Sequence, residues 1–380
     1  MPHQTRESNG QSPSTSVALR ILVGCLALGL SACSTWRPLP TASSSQQSAQ
    51  AGESTQTSSA GFAGQGEPRG WASGLPGGQT SLMQVSFASE GADFDPEVDP
   101  SGNYLVYAST QHAQYADIYR KKVGGNTLVQ LTSDPAEDVM PTISPDGKWI
   151  AFASNRSGNW DIWVMPFAGG PASQVTFEVD HELHPSFSPD GSQLVYCRRN
   201  ERSDRWEIWS FDLDTPGIRT YLCDGLFPQW CPDSSRNTIL FQRARERGGQ
   251  YFGIWTADLK NESCTNITEI VAASNSAIMH PSWSPNGKLI CYCTVSESQA
   301  SGLWPRKADV WMIGIDGTGQ APLTAGSFRN MQPTWSQNGR IYFVSDRGGT
   351  DSIWAVPAAA SGPSTGEPSF TVAETTDASN

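Results

Sequence analysis

An all-β chain folded as a six-bladed β-propeller, with four strands per blade, is the architecture this sequence predicts, and three observations predict it. A phrase of Pro, a strand-like triplet, and a Pro-Asp-Gly or related turn recurs six times, at DPEVDPSGN from Asp95, MPTISPDGK from Met140, HPSFSPDGS from His184, FPQWCPDSS from Phe227, HPSWSPNGK from His280 and QPTWSQNGR from Gln332. Successive prolines (Pro96, Pro141, Pro185, Pro228, Pro281, Pro333) are spaced by 45, 44, 43, 53 and 52 residues, a period that belongs to propeller blades. An Ile/Val-aromatic pair also recurs six times, at Ile118-Tyr119, Ile162-Trp163, Ile208-Trp209, Ile254-Trp255, Val310-Trp311 and Ile353-Trp354.

Each repeat reads as four short strands in order. The first is the triplet after the proline, as in Thr142-Ile143-Ser144, and the turn that follows uses Pro to preset φ and Gly to admit a positive one. The second is an apolar run such as Trp149-Ile150-Ala151-Phe152 or Ile341-Tyr342-Phe343-Val344, suited to a sheet covered on both faces by neighbouring blades. The third carries the Ile/Val-aromatic pair, usually behind an acid (Asp117, Asp161, Glu207, Asp309), and the fourth is of the Gln174-Val175-Thr176 type. The last repeat lacks a clear fourth strand, whereas Leu82-Met83-Gln84-Val85-Ser86-Phe87 precedes the first repeat and resembles one. Pairing the two closes the ring and removes the open edge that an all-β repeat would otherwise expose.

The domain organisation follows. Residues 81–357 form the propeller. Residues 1–32 read as an export signal: Arg20, the apolar run Ile21–Leu30, then Leu30-Ser31-Ala32-Cys33, too short for a spanning helix. Residues 33–80, rich in Ser, Gln, Gly and Ala, read as a disordered linker, and residues 358–380 as a disordered tail.

The Pro-x-aromatic-Ser-Pro-Asp-Gly phrase, with the six Ile/Val-aromatic pairs, resembles the TolB-like β-propeller family, over about three quarters of the chain. The resemblance implies a non-catalytic interaction module of the bacterial cell envelope whose partner is a Pal-like lipoprotein or another peptidoglycan-associated component. TolB itself carries an α/β domain ahead of its propeller, for which residues 34–80 have no apolar periodicity. Leu30–Cys33 in turn resembles a bacterial lipobox, which implies cleavage before Cys33 and its acylation; the alternative is an ordinary signal cut elsewhere. Several acyl chains give stable anchoring where one is marginal. Ser34 after the acylated residue implies the outer membrane, with the protein facing the periplasm.

The formal charge of −12, or about −13 once residues 1–32 are removed, weighs against nucleic acid and leaves the lipid anchor as the only hold on a membrane. No nucleophile elbow, zinc-protease helix or phosphate loop is present, and no cofactor or metal is implied. Six cysteines lie within the propeller (Cys197, Cys223, Cys231, Cys264, Cys291, Cys293); they read as small buried residues or as disulfide partners, with connectivity open. The recurrent acids Asp117, Asp161, Asp309, Asp146, Asp190 and Asp233 repeat because the fold repeats.

Two sets of residues are candidates for function. Those before the repeated prolines, Asp95, Met140, His184, Phe227, His280 and Gln332, are expected around the channel mouth, where they offer an alternative activity in binding or processing a glycan or small ligand. The loops between second and third strands gather Arg198, Arg199, Arg202, Arg205 and Trp206, then Arg243, Arg245, Arg247 and Tyr251, then Trp304 and Arg306. Arginine with aromatics on loops of a rigid scaffold is the composition of an interaction surface for a carboxylate-bearing partner, unless the arginines pair with neighbouring acids.

Overall fold

The computed structural model describes residues 82–215, 217–244, 252–274, 276–296 and 305–358. They form six four-stranded antiparallel sheets, 24 strands in all, arranged as the six blades of a ring, and no helix occurs among them. In five blades the strands follow in chain order from the channel outwards. In the sixth the innermost three are Asn330–Trp335, Arg340–Ser345 and Ser352–Pro357, and the outer one is Met83–Gln84 from the other end of the chain. Met83 pairs with Ala355 and Gln84 with Trp354, so the ring closes as the sequence predicts.

The equivalence of that N-terminal strand to the other outer strands extends to individual hydrogen bonds. In blade 2 the N–H of Ile162 donates to Thr176 Oγ1 at 2.8 Å, while the N–H of Val175 donates to the Ile162 carbonyl at 2.8 Å. Blade 1 repeats this with Ile118, Thr132 and Leu131, and blade 5 with Val310, Thr324 and Leu323. In blade 6 the N–H of Ile353 donates to Ser86 Oγ at 2.8 Å and the N–H of Val85 to the Ile353 carbonyl at 2.8 Å. A hydroxyl thus takes the place of a ladder carbonyl where the short outer strand ends, satisfying a buried donor.

The repeated proline sits inside the innermost strand rather than before it, so each first strand begins three to six residues earlier than the triplet suggests: Asp138–Ile143 contains Pro141, and His181–Phe187 contains Pro185. Pro is tolerated there because the strand bulges. Leu183 pairs with Cys197 and Ser186 with Val195, so His184 and Pro185 together face the single residue Tyr196, and the missing N–H of Pro185 breaks no ladder bond. The same register shift occurs in every blade. The first residue of each bulge has a left-handed φ: Asp95 50°, Met140 55°, His184 55°, Phe227 50°, His280 52° and Gln332 51°.

Opposite each bulge stands a buried aromatic ring: Tyr107, Phe152, Tyr196, Phe241, Tyr292 and Phe343. Each pairs across the sheet with the aromatic of the third strand, Tyr119, Trp163, Trp209, Trp255, Trp311 and Trp354 respectively. Such cross-strand pairs stabilise a sheet and fill the wedge between blades. The turn phrase is also explained. Ser144 Oγ donates to Asp146 at 2.6 Å and accepts from Trp149 N at 2.9 Å, while Gly147 takes φ 69°; Ser188/Asp190 and Ser284/Asn286 repeat the arrangement.

Candidate functional site: the channel and an arginine-bearing face

The six bulges bring Asp95, Met140, His184, Phe227, His280 and Gln332 together on the wall of the central channel, a cavity of about 370 Å³. Each is the fourth residue from the end of its strand and the first of its strand to line the cavity, which runs on to the turns at Pro100, Pro145, Pro189, Pro232, Pro285 and Gln337. A left-handed residue in an otherwise extended strand turns its side chain out of the sheet's alternation, and here all six meet around one axis.

The wall is divided chemically. On one side the His184 and Phe227 rings are 3.8 Å apart at their centroids and the Phe227 and His280 rings 4.6 Å, a continuous aromatic face across blades 3 to 5. Burial holds His184 well below the ordinary imidazole range, with the neighbouring His280 adding to the effect, and brings His280 down to about 4. Both imidazoles are therefore neutral near pH 7. Each rests its Nδ1 on a buried thiol, His184 at 3.1 Å from Cys197 Sγ and His280 at 3.3 Å from Cys293 Sγ.

On the other side, Gln332 Nε2 donates to Asp95 Oδ1 at 2.5 Å, and the N–H of Met140 donates to Asp95 Oδ2 at 3.1 Å. Thr334 Oγ1 donates to Glu97 Oε2 at 3.0 Å. Burial raises the Asp95 and Glu97 carboxyls to about 7 each, so they titrate near neutrality. Asp95, Glu97 and Asp99 line the channel and no Lys or Arg does among the described residues. No group of three or more His, Cys, Asp or Glu is arranged to hold a metal among the described residues.

The arginines gather away from this cavity, at the ends of the second and third strands. Arg198 and Arg199 end the second strand of blade 3 (Gln193–Asn200), and Arg205 and Trp206 open the third (Arg205–Asp212). Arg198 pairs with Asp180 of the preceding inter-blade loop at 2.9 Å and lies over the Trp209 ring, which places the two kinds of loop on one face of the disc. Arg199 pairs with Asp204 and lies over Trp206, Arg205 pairs with Asp224 at 3.2 Å, and Arg243 lies over Trp255. Trp206 is half-buried and packs on the core rather than standing out from it. Arg202 and Arg306 are exposed. Arg245, Arg247, Tyr251, Trp304 and the lipobox Cys33 lie outside the described residues.

A second network, not anticipated from the sequence, links blades below this face. The recurrent third-strand acids meet the residue two places before each bulge: Asp117 meets Asp138, and Asp161 meets Glu182. Burial raises Glu182 to about 8, with the Thr176 hydroxyl opposing and the Asp161 charge reinforcing the rise. Arg156 instead neutralises Asp138 with a contact at 2.7 Å and Asp134 with one at 2.8 Å. The signal that could have found this network is the acid or amide at Asp93, Asp138, Glu182 and Asn330, in step with the repeat.

Comparison with known proteins gives the following. The family model described as the TolB beta propeller domain matches residues 77–263. The chain is 27% identical over 249 residues to the Tol-Pal system protein TolB of Francisella tularensis subsp. tularensis, covering 63% of this chain and 53% of that protein. It therefore spans about half the length of the curated relatives it matches. Among solved structures, a putative TolB from Agrobacterium tumefaciens aligns with TM-score 0.55 at 20% identity, covering 73% of this chain and 96% of that one. TolB from Acinetobacter baumannii aligns with TM-score 0.55 at 18% identity, covering 69% and 65%.

Proposed function

We propose that this TolB-like propeller is a non-catalytic interaction module of the bacterial cell envelope, anchored by lipid on Cys33 and reaching its partner through the linker of residues 33–80. The proposed location is the periplasmic side of the outer membrane. The proposed partner is a Pal-like lipoprotein or another peptidoglycan-associated component, in keeping with the Tol-Pal name of the relatives. The observation that carries this reading is the face of the disc on which inter-blade and second-to-third-strand loops meet: a rigid ring gathers Arg198, Arg199, Arg202, Arg205, Arg243 and Arg306 there, at the opposite ends of the strands from the turns that line the cavity. Side chains carried at strand ends of such a scaffold need little ordering on binding, which lowers the entropic cost of docking. Arg202, Arg205 and Arg306 are the exposed cations of this set; Arg205 is engaged with Asp224, so Arg202 and Arg306 meet a carboxylate-bearing surface most directly.

Two measurements test the reading. Cys33→Ser moves the protein from the membrane to the soluble envelope fraction and abolishes incorporation of a labelled fatty acid. Titration of the same cell's purified Pal-like protein against the propeller gives binding that Arg202→Glu with Arg306→Glu weakens at least tenfold, about 1.4 kcal/mol. Unchanged fractionation rejects the anchor, and absence of binding by the unaltered propeller rejects the partner.

A specific feature favours a second reading. The channel offers two carboxyls near neutrality facing an aromatic wall, an arrangement suited to holding a small polar ligand such as a sugar. Turnover or binding of envelope glycans that disappears with His184→Ala and His280→Ala supports it.

A further inference from the structure

We propose that Cys223 and Cys264 are the site of a disulfide that joins blade 3 to blade 4. Cys223 is the fifth residue of the outer strand of blade 3 (Arg219–Asp224), and Cys264 the second of the outer strand of blade 4 (Ser263–Val271). Their Sγ atoms are 3.2 Å apart in the unlinked state, although 41 positions separate them in the chain. A disulfide bond of about 2.05 Å lies roughly 1.2 Å from this arrangement, a gap closed by side-chain rotation.

The other four cysteines have different surroundings. Cys197 and Cys293 contact the Nδ1 atoms of His184 and His280. Cys291 and Cys293 stand on one strand with a residue between them, both fully buried, and Cys231 lies under Gly287 in the next blade's turn. Cys223 and Cys264 form the one contact between two cysteine sulfurs found among the described residues.

The environment also suits the chemistry. Cys264 is partly exposed while Cys223 is buried, so an oxidant reaches Cys264 first. The hydrogen bond it shares with Cys223 pulls the Cys264 thiol below its ordinary value and makes it the better thiolate. The Cys264 thiolate attacks the disulfide of a dithiol oxidant, either an envelope oxidoreductase or glutathione disulfide, and releases one thiolate from it. Cys223 then loses its proton and attacks the Cys264 sulfur of the mixed disulfide, expelling the second thiol. Two thiols are oxidised with loss of two protons, and one oxidant disulfide is reduced to two thiols.

The bond would cover an inter-blade core of Leu222, Trp230, Ile239, Phe241, Ala257 and Leu259 at its outer end. Blades 3 and 4 lack the Thr or Ser clasp that ends the outer strands of blades 1, 2, 5 and 6, so their rims are held in a different way. Closing a loop of 41 positions restricts the unfolded chain and raises the melting temperature by about 5 °C or more.

The proposal rests on the export reading, because the cytosol keeps thiols reduced. The experiment isolates the full-length protein from cells lysed in N-ethylmaleimide without reductant, then maps peptides and measures melting with and without a phosphine reductant. The expected result is one peptide pair joined through Cys223 and Cys264, with Cys197, Cys231, Cys291 and Cys293 unlinked, and a melting temperature that falls on reduction. Cys264→Ser removes the linked pair and the response to reductant. The purified, reduced protein is also treated with glutathione disulfide. Closure there, with free thiols in the cell and a cytosolic protein, upholds the cross-linking site and rejects export. Free thiols in an exported protein, or no closure with glutathione disulfide, overturns the proposal.

Discussion

Replacing Ser86 by Ala tests whether the ring is closed by the N-terminal strand. Ser86 is buried, and its Oγ accepts from the N–H of Ile353 at 2.8 Å. Alanine leaves that donor buried without a partner, at a cost of about 1–3 kcal/mol. An unfolding entropy of about 2.1 cal/mol/K per residue over roughly 280 residues converts this to a fall in melting temperature of about 2–5 °C. The control is Thr324→Ala, which removes the same hydroxyl from Val310 within blade 5, where the outer strand follows in chain order. Calorimetry should give similar losses for both. Hydrogen exchange should open Ser352–Pro357 selectively in the Ser86 variant and Asp309–Gly314 in the Thr324 variant. A full loss for Thr324→Ala beside an unchanged Ser86→Ala protein would refute closure through residues 83–86.

Other perturbations read different parts of the design. Because burial raises Glu182 to about 8, the folded protein holds a proton there that the unfolded chain releases near 4.5, so stability declines as pH climbs between those values. Glu182→Gln should flatten that decline and melt higher than the unaltered protein at pH 8; a variant that melts lower at pH 8 sinks the argument. Gly225→Ala should destabilise by about 1–3 kcal/mol in a urea titration, since its Cβ would stand 2.7 Å from both Ile208 Cδ1 and Phe241 Cδ2; an unchanged midpoint would show that these side chains yield freely. Arg156→Ala should cost about 3–5 kcal/mol in the same titration at neutral pH by leaving the Asp138 carboxylate buried without its cation; an unchanged midpoint would refute this.

The blade count, the ring closure and the common side of the two loop classes were legible because each depends on residues recurring at blade period. Pro185, the pair Ile208-Trp209 and the stray Gln84-Val85-Ser86 all announce themselves in this way. The bulge was not legible, although its cause was in view. Proline was read as preceding a strand because it cannot donate to a ladder, whereas pairing two residues against Tyr196 lets it sit inside one. The channel set was found from its place beside proline. Its split into an aromatic and an acidic wall depends on which blades become neighbours around the ring, so Asp95 meets Gln332 across 237 positions. For the arginines, composition showed the cluster but not its pairing: Asp180 comes from an inter-blade loop and Asp224 from the end of the outer strand of blade 3, and only the folded blade brings them to Arg198 and Arg205.

The six left-handed bulge residues carry a consequence for how such a ring acquires new ligands. At each of them the backbone is held by the flanking ladder, the proline and the aromatic opposite, none of which depends on the side chain that projects inwards. Asp, Met, His, Phe, His and Gln all occupy the position in one molecule with φ between 50° and 55°. Single substitutions at six places can therefore redraw the inner surface while the frame stays the same, with neighbouring positions coupled as Asp95 is to Met140 and Gln332. Divergence in what such rings bind can then run ahead of divergence in how they fold.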